Sequence, residues 1–170
     1  MRRIITGHKE GKSVIIDDTE ISATIGRFGR VITPIWKAEA VPSIPLEKTD
    51  FEVDMNPDNF KLGEAVTSIT VLPPDEKFIS DAKAGGVDAV EEWRKVTGDD
   101  FNMHTTDTVD MVVIVSGEIW MEVDDGVEVH LKTGDCLIQN GTRHAWRNKS
   151  QENCIIAYTL VGAKRIKNTR

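Results

Sequence analysis

Four glycine-centred turn signals fall at short, even spacing in this chain: Ser116-Gly117, Asp125-Gly126, Thr133-Gly134 and Asn140-Gly141. Asp-Gly and Asn-Gly favour tight hairpins because glycine accepts the positive φ such turns need. Short runs rich in Val and Ile lie between the turns. Evenly spaced short strands joined by hairpin turns indicate an antiparallel sandwich or barrel. The stretch from Asn102 to Tyr158 therefore dominates what the chain can become.

Side-chain parity sharpens that reading. An extended run from His104 projects His104, Thr106, Thr108 and Asp110 from one face, because strand side chains alternate with period two. Thr142, His144, Trp146 and Asn148 share a face in the same way. Two strands of one small barrel could thus aim His104, Asp110 and His144 at one interior point. Two imidazoles and a carboxylate with positions left open form a known ligand set for divalent metals, Fe(II) in particular.

The same stretch resembles the cupin superfamily. Its first motif runs His-x-His, a Glu six or seven residues after the first His, and a Gly at a hairpin turn. Here His104, Thr106, Asp110 and Gly117 stand at those positions. Its second motif runs Gly-Asp, a short apolar run, Gly-x-x-His and an Asn. Here these are Gly134-Asp135, Cys136-Leu137-Ile138, Gly141-Thr142-Arg143-His144 and Asn148. Gln139 replaces a common Pro, and the loop is one residue shorter. The first motif is degenerate, since Thr106 takes the place of an imidazole, and a neutral hydroxyl is a poor ligand for Zn²⁺ or Fe²⁺. Asp110 is one methylene shorter than Glu.

The resemblance implies an all-β, cupin-type antiparallel β-barrel (jelly roll) with an N-terminal strand extension and one short helix. It implies one divalent metal (Fe, Zn, Mn or Ni) on His104, Asp110 and His144. Thr106, Gln139, Trp146 and Asn148 are the candidate substrate-binding residues. The function it implies is a small metal-dependent enzyme of oxygenase, decarboxylase or isomerase/cyclase type acting on a small organic molecule. The alternative is a non-catalytic binding or sensor module with a decayed metal site. Fold alone does not choose between them.

A chain of 170 residues fits a single domain. Four parts are expected: N-terminal strands over 1–72, a loop and short helix over 73–99, the motif core over 100–162, and a frayed basic tail over 163–170. The net charge of −7 disfavours nucleic acid, whose binding rests on Lys and Arg contacts to phosphates. Residues 1–9 hold no apolar run of signal-peptide length, and nothing approaches a membrane span of roughly 20 apolar residues. A cytoplasmic protein is expected. Cys136 and Cys154 are expected to be buried strand cysteines in a reducing compartment.

Residues 2–7 and 12–17 flank His8-Lys9-Glu10-Gly11 and predict a hairpin, which in similar cupins packs on a partner subunit, so a homodimer is expected. Val31–Lys37 predicts a strand confined by Pro34 to a sheet edge. Residues 41–57 predict an extended surface segment, and residues 65–72 a strand. Val87, Val90, Trp93 and Val96 recur at helical spacing, and Thr97-Gly98 supplies a stop. Parity puts His130 with Glu128 and Lys132 on a wet face, and Trp120 on the polar face of its strand.

Overall fold

A computed structural model describes residues 1–25, 30–44, 56 and 59–166. The predicted segment 41–57 and the short Gly26–Gly29 run lie largely outside these residues, as does the end of the basic tail. Among the described residues eleven strands and two α-helices run in the order β1 (Arg2–Lys9), β2 (Lys12–Glu20), β3 (Thr24–Ile25), β4 (Val31–Ala38), β5 (Ala65–Leu72), α1 (Asp75–Ala84), α2 (Ala89–Thr97), β6 (Thr108–Ser116), β7 (Glu118–Glu122), β8 (Glu128–Lys132), β9 (Cys136–Gln139), β10 (Ala145–Arg147) and β11 (Cys154–Gly162).

All pairings among the described strands are antiparallel. A six-stranded sheet has the order β3-β4-β5-β11-β6-β9, and a three-stranded sheet the order β10-β7-β8. The core lies between them: Leu72, Val112, Ile114, Cys154 and Ile156 from the larger sheet meet Ile119, Leu131 and Trp146 from the smaller. The fold is all-β and antiparallel, as the turn spacing predicts, and jelly-roll in type, as the resemblance implies.

Parity holds along the strands that build the interior. Val66, Ser68, Thr70 and Leu72 of β5 are buried, as are Thr108, Asp110, Val112 and Ile114 of β6. Register then sorts them by depth. Asp110 lies opposite Leu160 and Gln139, whereas Ile114 lies opposite Ile156. The start of β6 is therefore the polar end of the interior and its far end the apolar one.

Gly117 closes the β6–β7 turn with φ 78°. A Cβ there would stand 2.7 Å from the carbonyl oxygen of Asn153, so only glycine lets the two segments meet.

The N-terminal hairpin forms as predicted, with Glu10 and Gly11 both at positive φ in the manner of a type I′ turn. β1 and β2 make a separate two-stranded sheet. Pro34 is tolerated because β3 covers only Val31 and Ile32, leaving β4 as the edge at Pro34.

The sequence pattern predicts one helix between β5 and β6, and the structure has two. α1 buries none of its residues, which is why it carries no apolar period to detect. α2 is capped by Asp88, whose carboxylate accepts from Glu91 N at 3.0 Å, and stops at Gly98 with φ 71°. It buries Ala89 and Trp93, while Val87 and Val96 stay exposed, so the face turned inward is narrower than the Val spacing implies. Among the described residues no helix is long and apolar enough to cross a membrane.

Candidate functional site

His104 lies ahead of β6 and His144 directly ahead of β10. They form an isolated antiparallel bridge in which each backbone N–H donates to the other's carbonyl at 2.9 Å. Residues paired this way place their side chains on one face. The two imidazoles sit with ring centroids 4.4 Å apart at 50°. Trp93 from α2 meets His104 edge-on with ring centroids 5.9 Å apart, and Trp146 meets His144 in the same way at 6.1 Å. His144 is buried and His104 half-buried, so the pair is approached from the His104 side.

Both tautomers follow from the backbone. His104 Nδ1 lies 2.7 Å from the carbonyl oxygen of Asn102, and His144 Nδ1 2.9 Å from that of Thr142. A carbonyl can only accept, so both Nδ1 atoms carry hydrogen. Both Nε2 lone pairs are left for whatever enters.

Burial holds the rings neutral. His104 is pushed down to about 3 by burial and then by His144, against the pull of the Asn102 carbonyl. His144 is lowered by burial, opposed by the Thr142 carbonyl.

A cation stands beside them. Arg30, immediately before β4, is half-buried and donates from Nη2 to Asn102 Oδ1. It is near enough to His104, His144 and Tyr158 for its charge to oppose protonation of both rings and to favour ionisation of the phenol. Among the described residues no carboxylate forms an ion pair with it. Asn102 is buried, sits at φ 65°, and donates from Nδ2 to the Trp146 carbonyl at 3.1 Å. Arg30 is a neighbour of the imidazole pair that sequence reasoning misses, and only its position against the Val31 strand start marks it.

On the other side of His144 a second chain of contacts leads to Asp110. Gln139 is the cross-strand partner of Asp110. Its Oε1 accepts from Thr142 N at 3.0 Å and Thr142 Oγ1 at 2.6 Å, which fixes the carbonyl that orients His144. Asp110 Oδ1 and Gln139 Nε2 are buried with no hydrogen-bond partner. Burial pushes the Asp110 carboxyl up to about 6, opposed by the Thr108 hydroxyl. Unpaired buried polar atoms cost roughly 1–3 kcal/mol each, so two on adjacent strands call for a partner, either water or a ligand group.

The family implied by the motifs commonly carries a divalent metal, and the donor set can be tested against it. The two free Nε2 atoms suit a metal. Asp110 does not join them: among the described residues no three His, Cys, Asp or Glu side chains are gathered to hold an ion. Thr106 is turned to the Thr108 hydroxyl at 2.9 Å. The residues present do not fit the three-ligand centre that parity predicts, and the Arg30 charge beside the imidazoles opposes a cation.

The remaining expected ligand contacts divide. Gln139 keeps an unused amide. Asn148 spends its side chain on structure: Nδ2 donates to the Leu72 and Glu152 carbonyls at 2.8 Å, and Oδ1 accepts from Ser150 N and Oγ. Trp146 belongs to the apolar core while edging His144.

Several expectations change in detail. Cys154 is buried but Cys136 is exposed. The tail is tied down at Arg165, which donates to Asp107 Oδ1 at 2.6 Å and to the Thr106 and Gly141 carbonyls at 2.9 and 3.1 Å. His130 is on the outer face as expected, stacked on Trp120 at 4.1 Å and bonded to Glu118.

Residues 94–161 match the family model of the Cupin domain. Oryzines biosynthesis cluster protein J of Aspergillus oryzae (strain ATCC 42149 / RIB 40) is 46% identical over 62 residues, 36% of this chain and 35% of that protein. Phomopsin biosynthesis cluster protein C' of Diaporthe leptostromiformis is 46% identical over 48 residues, 28% of this chain and 25% of that protein. The matches thus span about a third or less of these curated relatives. Among solved structures, a Cupin 2 conserved barrel domain protein from Salinispora arenicola CNS-205 aligns over 82% of this chain and 81% of its own, with 10% identity and a TM-score of 0.43.

Proposed function

We propose that this chain, a cupin superfamily protein through residues 94–161, binds a small organic molecule at the His104–His144 end of its barrel and moves a proton on it. The observation that carries the reading is the shared orientation of two neutral imidazoles, each locked through Nδ1 with Nε2 free. Such a pair accepts hydrogen bonds from a hydroxyl or amide of the ligand. With His104 pushed down to about 3 and His144 lowered in the same direction, the pair serves as acceptors rather than bases. The group matched to proton transfer near neutral pH is Asp110, whose carboxyl titrates at about 6. Gln139 Nε2 would donate to the ligand beside it. The names of both curated relatives refer to biosynthesis clusters, which accords with a small organic ligand.

The test is turnover and binding in parallel. Asp110→Asn is expected to abolish turnover and keep ligand binding, and His144→Ala to lose both with the fold intact by circular dichroism. Binding that survives in His144→Ala would overturn the site. Turnover that survives in Asp110→Asn would overturn the role of Asp110, and ligand binding without turnover in the native protein would leave a binding module, the alternative role.

A homodimer fits the surface. Ile4, Ile15 and Ile16 of the separate hairpin are exposed, and so are Met111, Val113 and Val115 on the outer face of β6. Light scattering after size exclusion tests this; a monomer at micromolar concentration would refute it.

A further inference from the structure

The Arg30 guanidinium joins the imidazole pair through one residue. Arg30 Nη2 donates to Asn102 Oδ1, and the Asn102 carbonyl accepts from His104 Nδ1. Asn102 is held against moving by its bond to the Trp146 carbonyl and by burial. The guanidinium carries five N–H donors, and the Asn102 oxygen uses one direction. Among the described residues Arg30 forms no ion pair, and only the Asp75 carboxylate acts on its charge from beyond contact, so the half-buried cation is costly to keep. Its charge helps keep the two rings neutral, and an anion arriving beside them would offset the cost of its burial.

Resting on the reading of the barrel end as a ligand site, we infer that Arg30 selects organic acids: it takes the carboxylate of the ligand while His104 Nε2 and His144 Nε2 accept from a hydroxyl on the same molecule. The recognised class is a small hydroxy- or enol-bearing carboxylic acid. An anion is favoured by the guanidinium, and a hydroxyl is favoured because two lone pairs and no N–H face it. A divalent cation is disfavoured by the same charge. Arginine suits this role because its planar fork matches a carboxylate with two parallel hydrogen bonds.

The experiment is calorimetric titration of the intact chain with malate, salicylate and the enol-forming oxaloacetate, each beside its methyl ester. The acids are expected to bind and the esters to bind about tenfold more weakly or not at all, as the loss of one charge-assisted contact requires. Arg30→Gln should bring the acids down to the ester level, and Arg30→Lys should recover part of the difference. His144→Gln should weaken acids and esters alike. Equal binding of acid and ester, or acid binding unchanged in Arg30→Gln, would overturn the role of Arg30 while leaving the barrel site standing. No binding by any acid or ester would overturn both readings. Should Arg30→Gln fail to fold, the acid-to-ester ratio in the native protein decides alone.

Discussion

His104 and His144 face each other across a two-residue bridge, backbone to backbone at 2.9 Å in both directions, with their rings 4.4 Å apart. The positions are forty residues apart in sequence. One links the helical excursion to β6 and the other links a glycine turn to β10, so the bridge joins the two sheets at the polar end of the barrel.

The bridge makes stability depend on acid. Both rings have native pKa values below the unfolded 6.5. The unfolded chain therefore takes up protons as pH falls through 6.5, and the native state does not. Stability is full above 6.5 and is lost as pH falls toward the native value, by up to about 1.4 kcal/mol per pH unit from His104, with His144 adding in the same direction. Urea unfolding at pH 7 and pH 5 should show this slope, and the His104→Gln/His144→Gln double variant should flatten it. An unchanged slope in that variant would contradict the neutral pair.

Asp110 has the opposite dependence. Its native value is raised from 3.8 to about 6, so the native state keeps a proton that the unfolded chain has lost. The cost is absent below about 4, grows between 4 and 6, and is complete above 6, at most about 3 kcal/mol. Asp110→Asn is expected to gain about 1–2 kcal/mol at pH 8 and nothing at pH 4. Equal effects at the two pH values would place Asp110 in solvent instead.

Asn102 couples local strain to the site. Its φ of 65° suits Asn or Gly, and its side chain bonds Arg30 and the Trp146 carbonyl. Asn102→Ala should cost about 2–4 kcal/mol from strain and lost bonds together. Asn102→Gly should recover the strain but not the bonds, and should weaken organic-acid binding in calorimetry as Ala does.

Gly117 is closed to substitution. A Cβ at 2.7 Å from Asn153 O and a φ of 78° combine, so Gly117→Ala should lose at least about 2 kcal/mol in thermal or urea unfolding. A neutral result would mean the β6–β7 turn moves freely against Asn153.

Metal content follows from the donor set. The described residues offer a two-imidazole pair with no third ligand gathered to it. Elemental analysis of protein prepared without chelator or affinity tag should find well under one Fe, Zn, Mn or Ni per chain. One metal per chain, lost in both His104→Ala and His144→Ala, would restore the three-ligand reading and require Asp110 to swing toward the pair.

The sheet and the histidines were legible because they rest on local rules. Glycine turns at 117 and 126 and parity along β5 and β6 are properties of neighbouring residues, and the structure follows them. Helix α1 was not legible, since it buries nothing and so has no period. Cys136 was misplaced because its strand, β9, is an edge strand of four residues whose alternate side chains face out. Arg165 was read as fraying because its partners, Asp107 and the Thr106 and Gly141 carbonyls, are distant in sequence.

By itself the sequence determined an antiparallel sandwich or barrel, the face on which His104, Asp110 and His144 project, and the glycine at the β6–β7 turn. These follow from period-two alternation and from the φ that only some residues tolerate. Tertiary structure decided which of those side chains meet. Parity states a direction and no distance: the bridge drew His144 to His104, the β6–β9 register drew Asp110 to Gln139, and the position just before β4 set Arg30 beside the imidazoles. The charge and proton chemistry of the barrel end depend on those three approaches, each between residues far apart along the chain.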